Sequence, residues 1–390
     1  MNLQFIFLYI IYLLIDLIIN DQTFRSKGIP WEIIYRQIYS IFRAWGIRKY
    51  PSKISAEVMV ETDLRGVDSH GINMFRQYDQ TIRRGAINVK AEINVLRDRS
   101  TTALLDADRG LGHPVSVRAM EMAIEKALKY DVGIVCVLNS HHFGAAGFYA
   151  EMAAKAGLIG IVTTSTRGIA LVPTGGTEPI LGTNPLAFAA PAGKYPPVVL
   201  DFATTVAAVN KVRVKQLQDL KLPEGWVNDG NGRIITDAEE AISIFEQRTF
   251  GGFNPIGGIG ETLGGHKGYG LAFFSHILGG TLPGASFSPI RVKTQGPHDP
   301  DELGHYFQAI NPEAFRPINE FKQDLDKVID ILKSVVPYDP NKPVMVAGEP
   351  ELKTKIQRLK NGVPINENLL SLIRDIAERA GVQYLLDNYC

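Results

Sequence analysis

The sequence predicts an α/β protein in which a mixed α/β body lies between two helical ends of the chain. Three observations carry that expectation. Apolar residues recur at helical spacing near the start, at Ile33, Ile34, Ile38, Ile41 and Phe42, as an amphipathic helix requires. From about residue 92 short apolar runs take over, the clearest being GIVCVL at 133–138, which suits a strand buried on both faces. Helical spacing then returns over 319–335, 349–360 and 366–380, with Pro and Gly between. A length of 390 residues fits two or three modules,.

In chain order, helices are expected over 30–48 and 54–64. Asp68-Ser69-His70-Gly71 interrupts the pattern, and a third helix follows from Met74 to Arg84, stopped by the Gly85 turn,. Ile93–Leu96 and Ala103–Asp106 read as strands, 114–129 as an amphipathic helix, and Gly133–Leu138 as a buried strand. A small-residue helix over about 144–156 and a second apolar run, Leu158–Thr163, complete a βαβ unit,. Val198–Phe202 reads as a strand, 267–279 as an apolar helix, 282–300 as an excursion loop rich in Pro, Gly and Ser, and Tyr306–Ile310 as a late strand. The expected organisation is an apolar extension over 1–25, a helical module from 30–90 and 319–390, and an α/β domain over 91–318. Residues 1–20 are almost wholly apolar. They could contact a membrane as an anchor or interfacial helix, or form an extension with no part in the chemistry. Asp16 within them would be costly in lipid,.

Several function classes lose their warrant. Lys plus Arg equals Asp plus Glu, 41 each, so the basic excess of a phosphate-neutralising nucleic-acid binder is absent,. Cys136 and Cys390 give neither a disulfide framework nor a metal-binding CxxC, and a reducing, cytoplasmic setting is expected,. No metal site is expected. There is no G-x-G-x-x-G after a strand, no P-loop, no H-E-x-x-H and no G-x-S-x-G elbow,.

Four constellations remain. Asn139–Gly147 (NSHHFGAAG) lies where a strand ends and a helix begins, the place where open α/β sheets put ligands,. A histidine there can exchange a proton near neutrality, yet two adjacent histidines cannot both aim into one pocket, and either could simply cap the helix. Asp68-Ser69-His70 invites a triad, but sequence neighbours rarely face one another as a triad does; a substrate-contacting Ser-His pair and a helix cap both stay open. Gly264–Gly270 (GGHKGYG) opens an apolar helix and offers a phosphate clamp or a plain turn,. Gly175-Gly176 and Leu181–Pro185 form a turn-rich connection that borders a ligand or only reverses the chain.

Taken in order, DLRGVDSHG (63–71), HHFGAAGFYA (141–150), GLIGIVTTS (157–165), GGTEPILGTNPLAFAAPAG (175–193), VLDFATT (199–205) and GGHKGYGLA (264–272) resemble the malate/L-lactate dehydrogenase family of the second type, which includes sulfolactate and ureidoglycolate dehydrogenases. NPEAF (311–315), AGEPE (347–351) and NGVPI (361–365) match too. The likeness spans about 30–386. It implies a non-Rossmann mixed-sheet cofactor domain with a helical module built from both chain ends. It also implies a homodimer, NAD or NADP as cofactor, and hydride transfer between that cofactor and a 2-hydroxy/2-oxo or 2-imino acid, malate- or lactate-like by default.

By motif, His142 falls at the family's acid/base histidine. Ser69, His70 and Tyr78 fall at the substrate pocket, with Asn184 at its border. Ser165, Thr166, Thr183, Asp201, Phe202, Ala203 and Lys267 fall at cofactor positions. The family commonly carries Arg four residues after the DSH histidine; here that residue is Met74, with Arg76 two residues on as a candidate substitute. The loop 166–174 also looks longer than usual, and its Arg167 could meet a 2′-phosphate or solvent. Two other readings follow: a catalytically silent cofactor- or ligand-binding homologue, and a hydrolase using Ser69 and His70, for which the spacing is unfavourable.

Overall fold

The computed structural model describes residues 28–217, 219–285, 296 and 299–387. The apolar segment 1–25 and Cys390 lie outside them, as does most of the 282–300 loop. Among the described residues no helix is long and apolar enough to cross a membrane.

The fold is mixed α/β. Its helices are α1 (Trp31–Ala44), α2 (Lys49–Leu64) and α3 (Phe75–Arg83), then α4 (Gly112–Tyr130), α5 (Ala146–Lys155), α6 (Val209–Leu217), α7 (Ala238–Gln247) and α8 (Gly265–His276). Helices α9 (Ile318–Ser334), α10 (Glu349–Asn361) and α11 (Glu367–Ala380) close the chain. The strands are β1 (Asn94–Asp98), β2 (Thr102–Asp106), β3 (Val132–Ser140), β4 (Ile159–Thr164), β5 (Leu186–Ala190), β6 (Val198–Phe202), β7 (Val227–Asn228), β8 (Ile234–Ile235), β9 (Gly252–Phe253) and β10 (Leu303–Ile310).

The main sheet runs β1-β2-β3-β10-β4-β5-β6. Only β2 and β3 pair in parallel; the other neighbours are antiparallel. The βαβ unit expected from 133–163 is therefore split: β10 lies between β3 and β4 and pairs with both. A sequence window of thirty residues cannot show a strand that arrives 140 positions later. Helices α4 and α5 cover one face, and their alanines meet Val135, Val137, Val162 and Phe307 in a buried cluster. The helices sit close because glycine faces them. A Cβ on Gly133 would lie 2.0 Å from the Ala123 carbonyl oxygen, and one on Gly160 2.4 Å from that of Ala150. Gly133→Ala is expected to cost about 1–3 kcal/mol through overpacking; an unchanged urea midpoint would show that α4 can retreat freely.

The chain ends meet in a second cluster. Ile34, Ile38, Met59 and Phe75 pack with Val363, Leu370, Ile373 and Ile376, and Ile29 exchanges backbone bonds with Val363 at 2.9 and 2.8 Å. Helix α9 contacts the sheet body: Asp326 accepts from the backbone N–H of Gly193 (3.0 Å) and Lys194 (2.8 Å). A small lobe, β7–β9 with α6 and α7, packs Val212, Val227, Ile235 and Phe253 into a third cluster. It docks on the loop after β4 through Phe253 N–H to Ala170 O (2.7 Å) and Val172 N–H to Phe253 O (3.1 Å).

Candidate active site

Three strand ends share one edge of the main sheet. Leu303, where β10 starts, pairs with Ser140, where β3 ends, and His305 pairs with Thr164, where β4 ends. Asn139 takes a left-handed φ of +55°, and its side chain donates to Asp106 at 3.0 Å, which turns the chain out of β3. The two histidines that follow diverge. His141 is buried, with Nε2 3.0 Å from Ala86 O and Nδ1 3.1 Å from the Asp301 carboxylate. His142 is half-buried and turns the other way.

The Nδ1 of His142 lies 2.8 Å from Tyr78 Oη and 3.3 Å from the Gly144 N–H. Tyr78 Oη in turn lies 3.3 Å from His113 Nε2. An amide can only donate, so neutral His142 accepts at Nδ1 and keeps its proton on Nε2. That Nε2 has no partner among the described residues. Burial holds the His142 imidazole well below its usual range, helped by repulsion from His70, His113 and His305. Burial likewise lowers His113 to about 3 and raises the Tyr78 hydroxyl. His113 begins α4 inside GLGHP, where no periodicity or motif marks it from sequence.

Ser69 and His70 join the same group. The His70 ring stacks on His142 with centroids 5.3 Å apart, its Nδ1 lies 2.6 Å from Ser69 Oγ, and burial brings it to about 4. Their loop is anchored from below by buried Asp63, which accepts from Ile72 N–H at 2.8 Å. A Cβ on Gly71 would fall 1.8 Å from that carboxylate, so only glycine lets the loop pass. Arg358 clamps the outer side through Asp68 and the Asp63 carbonyl. Met74 is 7% exposed inside the helical cluster. Arg76 is exposed on α3, about 200° around the helix from Tyr78. The structure therefore brings Ser69, His70, Tyr78 and His142 together and leaves Arg76 outside the group.

The residues matched to the cofactor form a second network. Asn184, fully buried with φ +30°, accepts from Thr166 N–H (3.1 Å) and Thr166 Oγ1 (3.3 Å) and donates to Ala272 O (3.0 Å). Both ends of its amide are thus engaged by the frame. Ser165 is buried and donates to Gly279 O at 3.3 Å, where a π-helical turn over Ile277–Thr281 extends α8 across the end of β4. Thr204, next to Phe202 and Ala203, donates to Thr183 O at 2.9 Å. Asp201 keeps an exposed edge, but its carboxylate accepts from Gly147 N–H at 2.7 Å. Burial against α5 raises it to about 6, which that N–H opposes. The anion position at the start of α5 is thereby filled by the protein itself. Lys267 is exposed in the first turn of α8.

Tyr269, Phe273 and His276 of α8 line a cavity of about 230 Å³ with Pro173, Ile180, Leu181 and Thr281. Two aromatic walls fit a flat heteroaromatic ring, and a helix start with a lysine fits a phosphate. A roomier cavity of about 300 Å³ lies beside Tyr50, Ile93 and Pro114. It is apolar and contains none of the titratable groups above, so its size carries no chemistry.

These ionisations set a pH dependence. Native His70, His113, His142 and His305 stay neutral where the unfolded chain takes up protons, below about 6.5,. Stability from them is complete above 6.5 and is lost as pH falls towards 4. Asp63, raised to about 8, and Asp201, raised to about 6, act oppositely, holding native protons that the unfolded chain has released. Four histidines against two carboxyls leave a net loss on acidification. Tm is expected to fall from pH 7 to pH 5; a rise over that interval would contradict the buried-histidine account.

Comparison with known proteins gives consistent matches. The sequence profile described as malate/L-lactate dehydrogenase matches residues 29–374. A malate dehydrogenase of Pyrococcus abyssi is 40% identical over 357 residues, covering 92% of this chain and 96% of that one. An L-sulfolactate dehydrogenase of Methanocaldococcus jannaschii is 36% identical, covering 88% and 95%. Among solved structures, malate dehydrogenase from Entamoeba histolytica superposes with a TM-score of 0.86 at 32% identity, covering 92% and 99%.

Proposed function

Because the chain belongs to the malate/L-lactate dehydrogenase family, we propose that it moves hydride between NAD or NADP and a 2-hydroxy/2-oxo (or 2-imino) acid, malate- or lactate-like. The observation that carries this reading is His142: Nδ1 held by Tyr78 and Gly144, and Nε2 without a partner among the described residues.

A bound nicotinamide ring supplies hydride to the substrate carbon, or removes it in reverse. In reduction, Nε2 of His142 gives its proton to the substrate oxygen as negative charge develops there. His142 makes that transfer in its imidazolium form and returns to the neutral one; while it is charged its Nδ1–H faces the Tyr78 oxygen, and the proton is replaced from solvent,. In oxidation the sequence reverses, with Nε2 accepting the hydroxyl proton. Ser69 and His70 border the substrate and keep water from His142. Lys267, Thr166, Thr183 and the Phe202–Ala203 segment border the cofactor. Ser165, Asn184 and Asp201 position those groups through the bonds described above.

The same proposal takes 30–90 with 319–390 as a helical module, 91–318 as the cofactor domain, and the cytoplasm as location. A homodimer is supported by exposed apolar side chains on α8 and the turn that follows it, among them Leu271, Phe274 and Ile277. The test is direct: mix purified protein with NADH or NADPH and a panel of 2-oxo acids, and follow absorbance of the reduced cofactor. Oxidation dependent on an oxo acid is expected with at least one pair. Absence of turnover with every pair would remove the proposal.

A further inference from the structure

Among the described residues the group around His142 has no permanent cation, although a 2-oxo acid carries a carboxylate. Positive charge is found nearby on the same sheet edge. Asp301 lies just before β10 and is 2% exposed. Its carboxylate meets Arg167 Nε at 3.0 Å, Arg84 Nη2 at 3.7 Å and His141 Nδ1 at 3.1 Å. Arg167 follows β4, Arg84 caps α3 and His141 follows β3, so three separate elements converge on one buried acid.

Among the described residues two guanidiniums face this one carboxylate. The arginine side chains are 21% (Arg84) and 32% (Arg167) exposed, while the acid beneath them is closed off. Arg167 forms an ion pair with Asp301 through Nε, and its Nη1 and Nη2 have no partner among the described residues. The terminal fork is the part of arginine that matches a carboxylate. The two cations also disfavour each other: burial lowers Arg84, the charge of Arg167 lowers it further, and only Asp301 opposes this. An incoming anion would relieve that repulsion. The cluster neighbours the His142 group. His141, whose Nδ1 lies 3.1 Å from the Asp301 carboxylate, precedes His142 in the chain, Arg84 stands six residues after Tyr78, about 9 Å along the helix axis, and the Asp301 charge helps raise the Tyr78 hydroxyl.

We infer that Arg84 and Arg167, braced by Asp301, form the anion-recognition site for a carboxylate of the substrate. The inference rests on the proposed hydride transfer to an oxo acid and adds the group that selects it. Asp301 offsets part of the charge of the two guanidiniums.

Arg167→Met is the variant of choice, because the side chain is the more exposed of the pair; unchanged Tm and circular dichroism confirm its fold. The KM for the best oxo acid is expected to rise about 10- to 100-fold, as loss of a charge-assisted pair does. Cofactor Kd is expected to stay within about twofold. A rise for both pyruvate and oxaloacetate identifies the shared carboxylate; a rise for oxaloacetate alone identifies the distal one. Arg167→Lys, which keeps charge without the fork, is expected to fall between, and serves if the Met variant does not fold. An unchanged oxo-acid KM overturns the inference, as does weaker NADPH binding with that KM intact, which would assign the arginines to a cofactor phosphate. Malonate, titrated calorimetrically, needs no turnover and so separates this idea from the reaction. If the wild type reduces no oxo acid, loss of malonate binding in Arg167→Met still supports the anion site, and equal binding in both proteins refutes it.

Discussion

His142→Ala is expected to lower kcat by about 10²–10⁴-fold, the range that general acid–base assistance supplies, while leaving cofactor Kd nearly unchanged. The reason is geometric. The imidazole is the group at this edge whose two nitrogens divide the work: Nδ1 meets Tyr78 and Gly144, and Nε2 has no partner among the described residues. The cofactor positions lie in a separate network tied by Asn184, Thr166 and Thr204. Truncating His142 removes proton delivery without touching that frame. Stopped-flow measurement of the chemical step and fluorescence titration of reduced cofactor separate the two effects. Full activity in the variant would exclude His142 from proton transfer, and lost cofactor binding would place it in the wrong role.

Tyr78→Phe is expected to cost about 10- to 100-fold in kcat, and to leave the fold intact because the ring stays in its packing site between Phe42 and His113. The lost hydroxyl is what meets the Nδ1–H of His142 while the ring is charged. Without it nothing offsets the burial that opposes that charge, so the variant should need a lower pH than the wild type to reach its maximal reduction rate. A merely structural role for Tyr78 would lower activity equally at all pH values. Parallel kcat–pH profiles for the two proteins would therefore reject that role for Tyr78.

Much of the fold is legible in the sequence because each long element repeats its period locally. GIVCVL marks β3, and Ile34, Ile38 and Ile41 mark the buried face of α1. The small lobe is not legible: β7, β8 and β9 are two residues each, too short to show alternation. β5 is also missed, since LAFAA is alanine-rich and carries no β-branched residue. The position of β10 between β3 and β4 depends on pairings across more than 140 residues, which no local pattern records.

The site divides in the same way. Ser69, His70 and His142 stand out because polar residues beside glycine interrupt an otherwise regular pattern. Tyr78 follows by motif, and its bond to His142 explains why a tyrosine stands there. His113, Asp63, Asp301 and Arg84 have no local mark. His113 and Asp63 look like ordinary helix residues, and Arg84 like a helix-ending base. They matter only after the sheet edge assembles and closes water away from them. Arg167 is conspicuous in its loop, but its contact with Asp301 depends on the arrival of β10. Asn184 sits in a loop that sequence reads as bordering the site; its side chain instead ties that loop to α8.

The most direct test of the central claim is a crystal structure with reduced cofactor and an unreactive oxo-acid analogue such as oxamate. The account predicts Nε2 of His142 within about 2.6–3.2 Å of the analogue's carbonyl-equivalent oxygen, with the nicotinamide ring on the opposite face of that carbon and Tyr78 still bonded to Nδ1. An analogue bound elsewhere, or an imidazole turned away from it, would contradict the account.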